Sequence, residues 1–203
     1  MSDKRPTVAV IDNHDSFVYN LTDALRAYNV HVFRNTVDVD AVLETQPDVL
    51  CLSPGPGHPR EAGNLMEFVE RAAGRIPLLG ICLGFQALCE HFGCGVERCG
   101  PVHGQSVPMQ LTEEGTASEL FAGLDTDADP AAVPVARYHS LGCRKLPEPL
   151  RPLATTDTAI GPVAMAADNA EGTILGLQFH PESILSPTGP LILERCIARL
   201  SPD

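Results

Sequence analysis

The segment GICLGFQ places one cysteine, Cys82, between Gly80 and Gly84, directly after an apolar run. This spacing is typical of a nucleophile elbow, in which glycines allow a sharp strand-to-helix turn that projects the nucleophile into a pocket. A helix beginning there would favour a thiolate and leave the Leu83 N–H free to bind an oxyanion. Gln86, one helical turn later, can face the same pocket. A buried core cysteine and an exposed Gln86 are the alternatives.

A thiolate nucleophile needs a group that moves protons, and the sequence QFHPES offers His180 and Glu182. Residues two apart on an extended chain point the same way, so we expect the carboxylate to orient the imidazole from the end of a strand. Taken by itself, a histidine there is more often a structural hydrogen-bonding residue. The combination with Cys82 favours the catalytic interpretation.

The sequence LSPGPG, residues 52–57, is the third candidate element. Pro56 fixes one backbone φ angle, whereas Gly55 and Gly57 free two. This combination would bring the Gly57 N–H close to a bound ligand. A rigid surface turn is the alternative interpretation of the segment alone.

Alternating apolar runs and amphipathic patterns indicate which elements position these residues. We expect strands at 7–11, 30–33, 48–53 and 76–82. We expect a first helix that begins after Asp15 or Ser16, either of which can cap it. We expect further helices at 39–45, 65–73 and 83–93. Four such βα units predict an α/β fold with a doubly wound, mostly parallel central sheet flanked by helices. Cys82 and LSPGPG would then lie at the carboxyl ends of strands, where ligands bind.

The second half of the chain predicts an additional region of antiparallel strands. Its short β-like runs are GVERC (95–99), SVPMQLT (106–112), PVARYHSL (134–141), PLATTD (152–157), GPVAMAAD (161–168) and TILGLQFH (173–180). A last helix begins near 188–190, with a proline in its first turn. No linker separates a second domain, so we expect one domain over residues 1–203.

Composition and charge exclude several classes of function. The formal net charge of -12 would repel phosphate backbones and anionic lipids, which argues against nucleic acid and membrane partners. The charged N-terminus and the odd set of seven cysteines predict a cytoplasmic protein with free thiols. Cys89, Cys94, Cys99 and His103 could be proposed as zinc ligands, but they lack a tight C-x2-C pair, so we expect no metal in this chain.

Five motifs together resemble the class I glutamine amidotransferases, which carry a Cys-His-Glu triad, over about residues 7–200. They are DNHDSF (12–17), LSPGPG (52–57), GICLGFQ (80–86), ARYHSL (136–141) and QFHPESI (178–184). The resemblance implies Cys82 as the nucleophile, His180 as general base and acid, and Glu182 as the group that orients His180. It also implies an oxyanion hole formed by Gly57 and Leu83. The glutamine site that it implies consists of Gly55, Pro56, Gly57, Gln86, Ser140 and Leu141.

Within that family the chain looks most like the amidotransferase subunits of anthranilate synthase. The segments that carry this likeness are ARYHSL, FAGL (121–124) and SILSPTGP (183–190). The resemblance implies L-glutamine as substrate and no cofactor in this chain. It also implies a separate chorismate-binding synthase subunit that holds Mg²⁺ and receives ammonia in a hetero-oligomer. A subunit of aminodeoxychorismate synthase, or one shared by both enzymes, is the alternative.

Some residues leave other interpretations open. Gln105 stands where the family usually has a lysine, so communication with a partner could differ. His14 is expected to be a turn residue and His139 a structural one. Two other classes remain as alternatives. A different cysteine hydrolase does not predict SPGPG, Gln86 and the HSL sequence together, and a noncatalytic flavodoxin-like module predicts that Cys82→Ser changes nothing measurable.

Overall fold

A nine-stranded sheet forms the centre of the molecule in a computed structural model that describes residues 5–102, 104–124 and 131–201. The strands are β1 (Thr7–Asp12), β2 (Asn29–Arg34), β3 (Val49–Leu52), β4 (Leu78–Ile81), β5 (Glu97–Arg98), β6 (Gln105–Leu111), β7 (Ala132–Arg137), β8 (Leu141–Gly142), β9 (Leu150–Thr156), β10 (Val163–Asn169) and β11 (Ile174–Leu177). The helices are α1 (Val18–Ala24), α2 (Val39–Leu43), α3 (Leu65–Ala72), α4 (Leu83–His91), α5 (Glu113–Thr116) and α6 (Gly189–Leu200).

The strand order confirms the predicted architecture. The order is β2-β1-β3-β4-β11-β10-β9-β6-β7, in which the first five strands are parallel and the remaining neighbours pair antiparallel. β5 and β8 form a separate antiparallel pair. The expectation that the whole second half is antiparallel is wrong for β11, which runs parallel to β4. β11 lies inside the sheet with all four residues buried, which is the environment that parallel strands require.

Two hydrophobic layers, one on each face of the sheet, fix the strands that carry the site. Successive residues of β1 alternate between them: Val8 and Val10 join the layer that contains the apolar faces of α1 and α6, whereas Ala9 and Ile11 join the layer under α2, α3 and α4. Because these strands run parallel, their carboxyl ends meet at one edge of the sheet. The strands that end there are β1, β3, β4 and β11. Within the described ranges, no helix has the length and apolar character needed to cross a membrane.

Two local expectations differ from the structure. Neither Asp15 nor Ser16 is the cap residue of α1; Phe17 takes that position, and its apolar side chain makes no capping bond. The Asp15 carboxylate instead accepts a hydrogen bond from the Phe17 N–H at 2.6 Å. This Asx turn holds the loop before the helix. The run PVARYHSL is also not one strand, since β7 ends at Arg137 and β8 begins at Leu141. The residues between them leave the sheet.

Candidate active site

Cys82 occupies a strained turn between β4 and α4. Its φ is 52° and its ψ is -102°, and its N–H donates to the Leu177 carbonyl at 2.7 Å. Such a conformation costs about 1–3 kcal/mol and persists only where the surroundings enforce it. The glycines on either side allow close packing: a Cβ at Gly84 would lie 2.2 Å from the Leu52 carbonyl oxygen, and one at Gly80 would lie 2.7 Å from Gly84 backbone atoms. The sharp turn predicted from the sequence is therefore present.

His180 and Glu182 form a buried pair beside this turn. His180 Nδ1 donates to Glu182 Oε1 at 2.7 Å, and the two side chains are 4% and 0% exposed. They do not sit on an extended strand, as the sequence interpretation assumed. β11 ends at Leu177, and the Ser183 N–H donates to the His180 carbonyl at 3.2 Å, so the pair lies in a turn. Pro181 lies between them and has no N–H with which to continue a strand.

The neighbours of His180 favour its charged form. Burial opposes an imidazolium, but the interactions with the Cys82 thiol and with the Glu182 carboxylate outweigh burial and raise the pKa of His180 above its ordinary value. The raised pKa favours an imidazolium at His180, held by the Glu182 carboxylate. That charge distribution is suited to a cysteine nucleophile with a histidine proton carrier.

The LSPGPG segment follows β3 and is tied to the end of β1. Gly57 has a φ of 80°, which glycine adopts without cost. A Cβ at Gly55 would lie 2.6 Å from the Asn13 Cβ, so only glycine fits there. The Asn13 N–H donates to Ser53 Oγ at 2.9 Å, and its side-chain amide donates to the Ser53 carbonyl at 2.8 Å. These bonds hold the candidate oxyanion loop beside the start of α4, where the Leu83 N–H has no acceptor within the helix.

A cavity of about 470 Å³ joins these elements. Its lining consists of His14, Asp15, Ser16, Phe17, Gly55, Pro56, Gly57, Cys82, Gln86, Tyr138, His139, Ser140, Leu141 and His180. The volume falls within the range of small-molecule sites. Every candidate glutamine-binding residue therefore borders the cavity that Cys82 faces.

Gln86 is buried at this cavity with its amide nitrogen already bound. The nitrogen donates to the Leu141 carbonyl and to Gln178 Oε1, both at 3.2 Å. Sequence reasoning did not identify Gln178, although it begins the QFHPES motif. It also missed the packing of Phe17 and Tyr138 against His180, with ring centroids 5.4 and 4.9 Å away. Their positions within DNHDSF and ARYHSL were the available signal.

The other two histidines at the cavity have local partners. His14 adopts a φ of 62° and accepts a hydrogen bond from Arg34 at 3.1 Å. His139 donates from Nδ1 to the Leu141 carbonyl at 2.7 Å. Burial, together with the nearby Arg137 guanidinium, lowers the pKa of His139 to about 3, so this imidazole is neutral near pH 7.

The cysteines were the basis of the zinc alternative. All seven are buried and unpaired. Within 5–102, 104–124 and 131–201, no group of three or more His, Cys, Asp or Glu side chains is arranged to hold a metal ion. His103, the fourth residue of the zinc alternative, lies outside the described residues.

Comparisons with known proteins decide the family. A family model described as glutamine amidotransferase class-I matches residues 9–200. The chain is also 55% identical over 202 residues to anthranilate synthase component 2 of Corynebacterium glutamicum, covering 95% of this chain and 97% of that one. This chain belongs to the class I glutamine amidotransferases. The resemblance inferred from the five motifs is thereby confirmed.

Two further similarities extend the comparison of this amidotransferase. It is 38% identical to a multifunctional tryptophan biosynthesis protein of Pichia angusta, over 94% of this chain and 50% of that one. Its structure is similar to the crystal structure of a glutamine amidotransferase from Thermotoga maritima, with a TM-score of 0.69, 16% identity and coverage of 98% and 99%. The latter similarity shows that the two proteins share a fold.

Proposed function

We propose that this amidotransferase is the glutaminase subunit of an anthranilate synthase, which releases ammonia from L-glutamine for a separate chorismate-binding subunit. The observation that carries the proposal is the single cavity bordered by Cys82, His180 and the Gly57 loop. The relatives named for anthranilate synthase and tryptophan biosynthesis support the choice of product over aminodeoxychorismate.

The proposed reaction begins with attack of the Cys82 thiolate on the side-chain carboxamide carbon of glutamine. As the C–S bond forms, the oxyanion accepts hydrogen bonds from the Gly57 and Leu83 N–H groups, an interaction worth about 3 kcal/mol for each donor. The His180 imidazolium then donates its proton to the departing nitrogen, the C–N bond breaks, and ammonia leaves. A γ-glutamyl thioester remains on Cys82.

Hydrolysis of the thioester reverses the roles. Neutral His180 takes a proton from water, the oxygen attacks the acyl carbon, and the C–S bond breaks to release glutamate and the thiolate. Glu182 keeps the imidazole oriented through both steps by accepting the Nδ1–H bond. Each residue therefore returns to its starting protonation state.

Recognition of glutamine is assigned to the remaining lining residues. The Gln86 nitrogen is already bonded to Leu141 and Gln178, so its amide oxygen is the atom available to donors on the substrate. Gly55, Pro56, Ser140 and Leu141 complete the site with backbone groups and shape.

We further propose that the acceptor site lies on the synthase subunit. Ammonia reacts only when unprotonated, and in bulk water near pH 7 most of it becomes ammonium. Transfer through a shielded passage in a hetero-oligomer avoids that loss. We assign the Mg²⁺ of the reaction to that partner, and we propose a cytoplasmic location for the assembly.

The decisive experiment is the Cys82→Ser substitution in the assembled complex, with anthranilate measured by its fluorescence. We expect glutamine-dependent synthesis to be lost while synthesis from added ammonium continues. Cys196→Ser is the matched control, because Cys196 is buried in α6 outside the cavity and burial raises the pKa of its thiol to about 12. Retained glutamine-dependent synthesis in Cys82→Ser, or a product other than anthranilate in the wild-type complex, would contradict the proposal.

A further inference from the structure

Tyr138 contacts His180 and the residue that follows Glu182. It lies in the segment that leaves the sheet between β7 and β8, and its ring centroid is 4.9 Å from that of His180, with the planes at 66°. Its hydroxyl is 3.1 Å from Ser183 Oγ, on the residue after Glu182. Phe17 completes a trio of rings, 5.2 Å from Tyr138 and 5.4 Å from His180. The imidazole is thus packed edge to face against two aromatic rings.

We propose that Tyr138 is a positioning residue that fixes the plane of the His180 imidazole, and that Gly104 holds Tyr138 in place. This inference rests on the catalytic role proposed for His180. The bond from Nδ1 to Glu182 restrains one edge of the imidazole, but one hydrogen bond does not fix the ring plane. In the proposed reaction, Nε2 must give a proton to the leaving nitrogen and then take one from water. Rigid aromatic neighbours restrict the ring to the plane that allows both transfers.

Gly104 is the residue that limits the position of Tyr138. It has a φ of 66°, and a Cβ built on it would lie 3.0 Å from Tyr138 Cε1, closer than side chains normally approach. The backbone at Gly104 therefore packs directly against the tyrosine ring. Gly104 immediately precedes Gln105, the first residue of β6. A continuous set of contacts leads from this loop through Tyr138 to His180.

The test compares Tyr138→Leu with Tyr138→Phe. In the isolated chain, the rate of Cys82 alkylation by iodoacetamide is followed against pH, with the modified residue identified by peptide mass spectrometry. Because a well-placed imidazolium stabilises the thiolate at low pH, we expect Tyr138→Leu to move the midpoint of alkylation to higher pH. In the complex, its glutamine-dependent kcat should fall by about tenfold or more, with KM changed less. Tyr138→Phe keeps the ring and should restore both properties.

Two outcomes would overturn the role of the ring. One is a wild-type alkylation midpoint in Tyr138→Leu; the other is a defect in Tyr138→Phe as large as in Tyr138→Leu, which would assign the effect to the hydroxyl. Because alkylation needs neither glutamine nor the synthase subunit, it tests the position of His180 even if the proposed function fails. Conversely, loss of the proposed function would appear in the wild-type complex, before any substitution at Tyr138.

Gly104→Ala tests the second half of the proposal and leaves the tyrosine itself unchanged. Gly123→Ala is its matched control: Gly123 has a similar φ of 70°, but none of the residues that the structure describes lies within 4 Å of an added Cβ. Both variants carry the backbone cost of an alanine at positive φ, and only Gly104→Ala presses on Tyr138. We expect Gly104→Ala alone to shift the alkylation midpoint and to lower kcat several-fold. Equal effects of the two substitutions, or no effect of Gly104→Ala, would show that Gly104 does not hold the ring.

Discussion

Gly84→Ala tests whether backbone contact at the start of α4 sets the geometry of the catalytic turn. The added Cβ would lie 2.2 Å from the Leu52 carbonyl oxygen and 2.6 Å from the Leu52 Cβ. Ordinary contact needs about 3.5 Å, so α4 and β3 must move apart by about 1 Å. The oxygen belongs to the backbone of a buried strand and cannot rotate away as the end of a flexible side chain would.

The displacement should affect stability and activity together. Overpacking against a rigid neighbour costs up to about 3 kcal/mol. For a chain of this length that cost lowers Tm by about 6–12 °C. β3 leads directly into the Gly57 loop and α4 begins after Cys82. The proposed nucleophile and the Gly57 N–H, one of the two proposed oxyanion donors, therefore separate by the same displacement. A misplacement of about 1 Å reduces kcat by about 10²-fold.

The assay is thermal unfolding of the chain together with anthranilate formation by the complex from glutamine and from ammonium. We expect the glutamine-dependent rate to fall and the ammonium-dependent rate to persist. Gly95→Ala is the control, because an added Cβ there meets no atom of the described part of the chain within 4 Å. A Gly84→Ala protein whose Tm stays within about 2 °C of wild type, equivalent to about 1 kcal/mol or less, and whose kcat is unchanged would refute the reasoning.

Three other substitutions address the charge, the substrate site and the fold. Glu182→Gln removes the carboxylate that helps raise the pKa of His180. The high-pH decline of the glutaminase rate should therefore move to lower pH, and kcat should fall about 10²-fold or more. An unchanged pH–rate profile would contradict this expectation. Gln86→Ala should raise KM for glutamine by about tenfold through loss of one hydrogen bond, with ammonium-dependent synthesis unaffected; a change confined to kcat would assign Gln86 another role. Asp168→Asn removes the charge of a buried carboxylate that two arginines bind. It should lower the free energy of unfolding by about 2 kcal/mol and leave the KM for glutamine unchanged. An unaltered Tm would show that these ion pairs add no net stability.

Most of the parallel half of the fold is predictable from local pattern. The strand expected at 7–11 is observed at Thr7–Asp12, and the one expected at 76–82 at Leu78–Ile81, because continuous apolar runs there are bounded by proline or glycine. The direction of β11 is not predictable in this way. Whether a strand runs parallel or antiparallel depends on which strand it meets in the sheet, and that is a property of the whole chain.

In the candidate site, too, features within one segment are predictable from the sequence, whereas contacts between distant segments are not. The turn at Cys82 follows from glycine spacing within one segment, so the sequence predicts its local form. The pairing of His180 with Glu182 was expected for the wrong conformation, because the extended geometry was assumed across Pro181. The aromatic contacts of His180 join residues far apart in sequence, and no periodicity within either segment indicates them. Such contacts become visible only once the strand order is known.

The parallel pairing of β4 with β11 also sets an order of assembly. Ile81 pairs with Leu177, so Cys82 and His180, the proposed nucleophile and proton carrier, follow neighbouring strands whose separation is about 4.8 Å in any sheet. The two strands come from distant parts of the chain. During translation, the thiol of Cys82 is made long before the ribosome has added the imidazole of His180, and the Leu177 carbonyl that accepts from the Cys82 N–H is also made late. The nascent chain therefore cannot consume glutamine until β11 has inserted between β4 and β10.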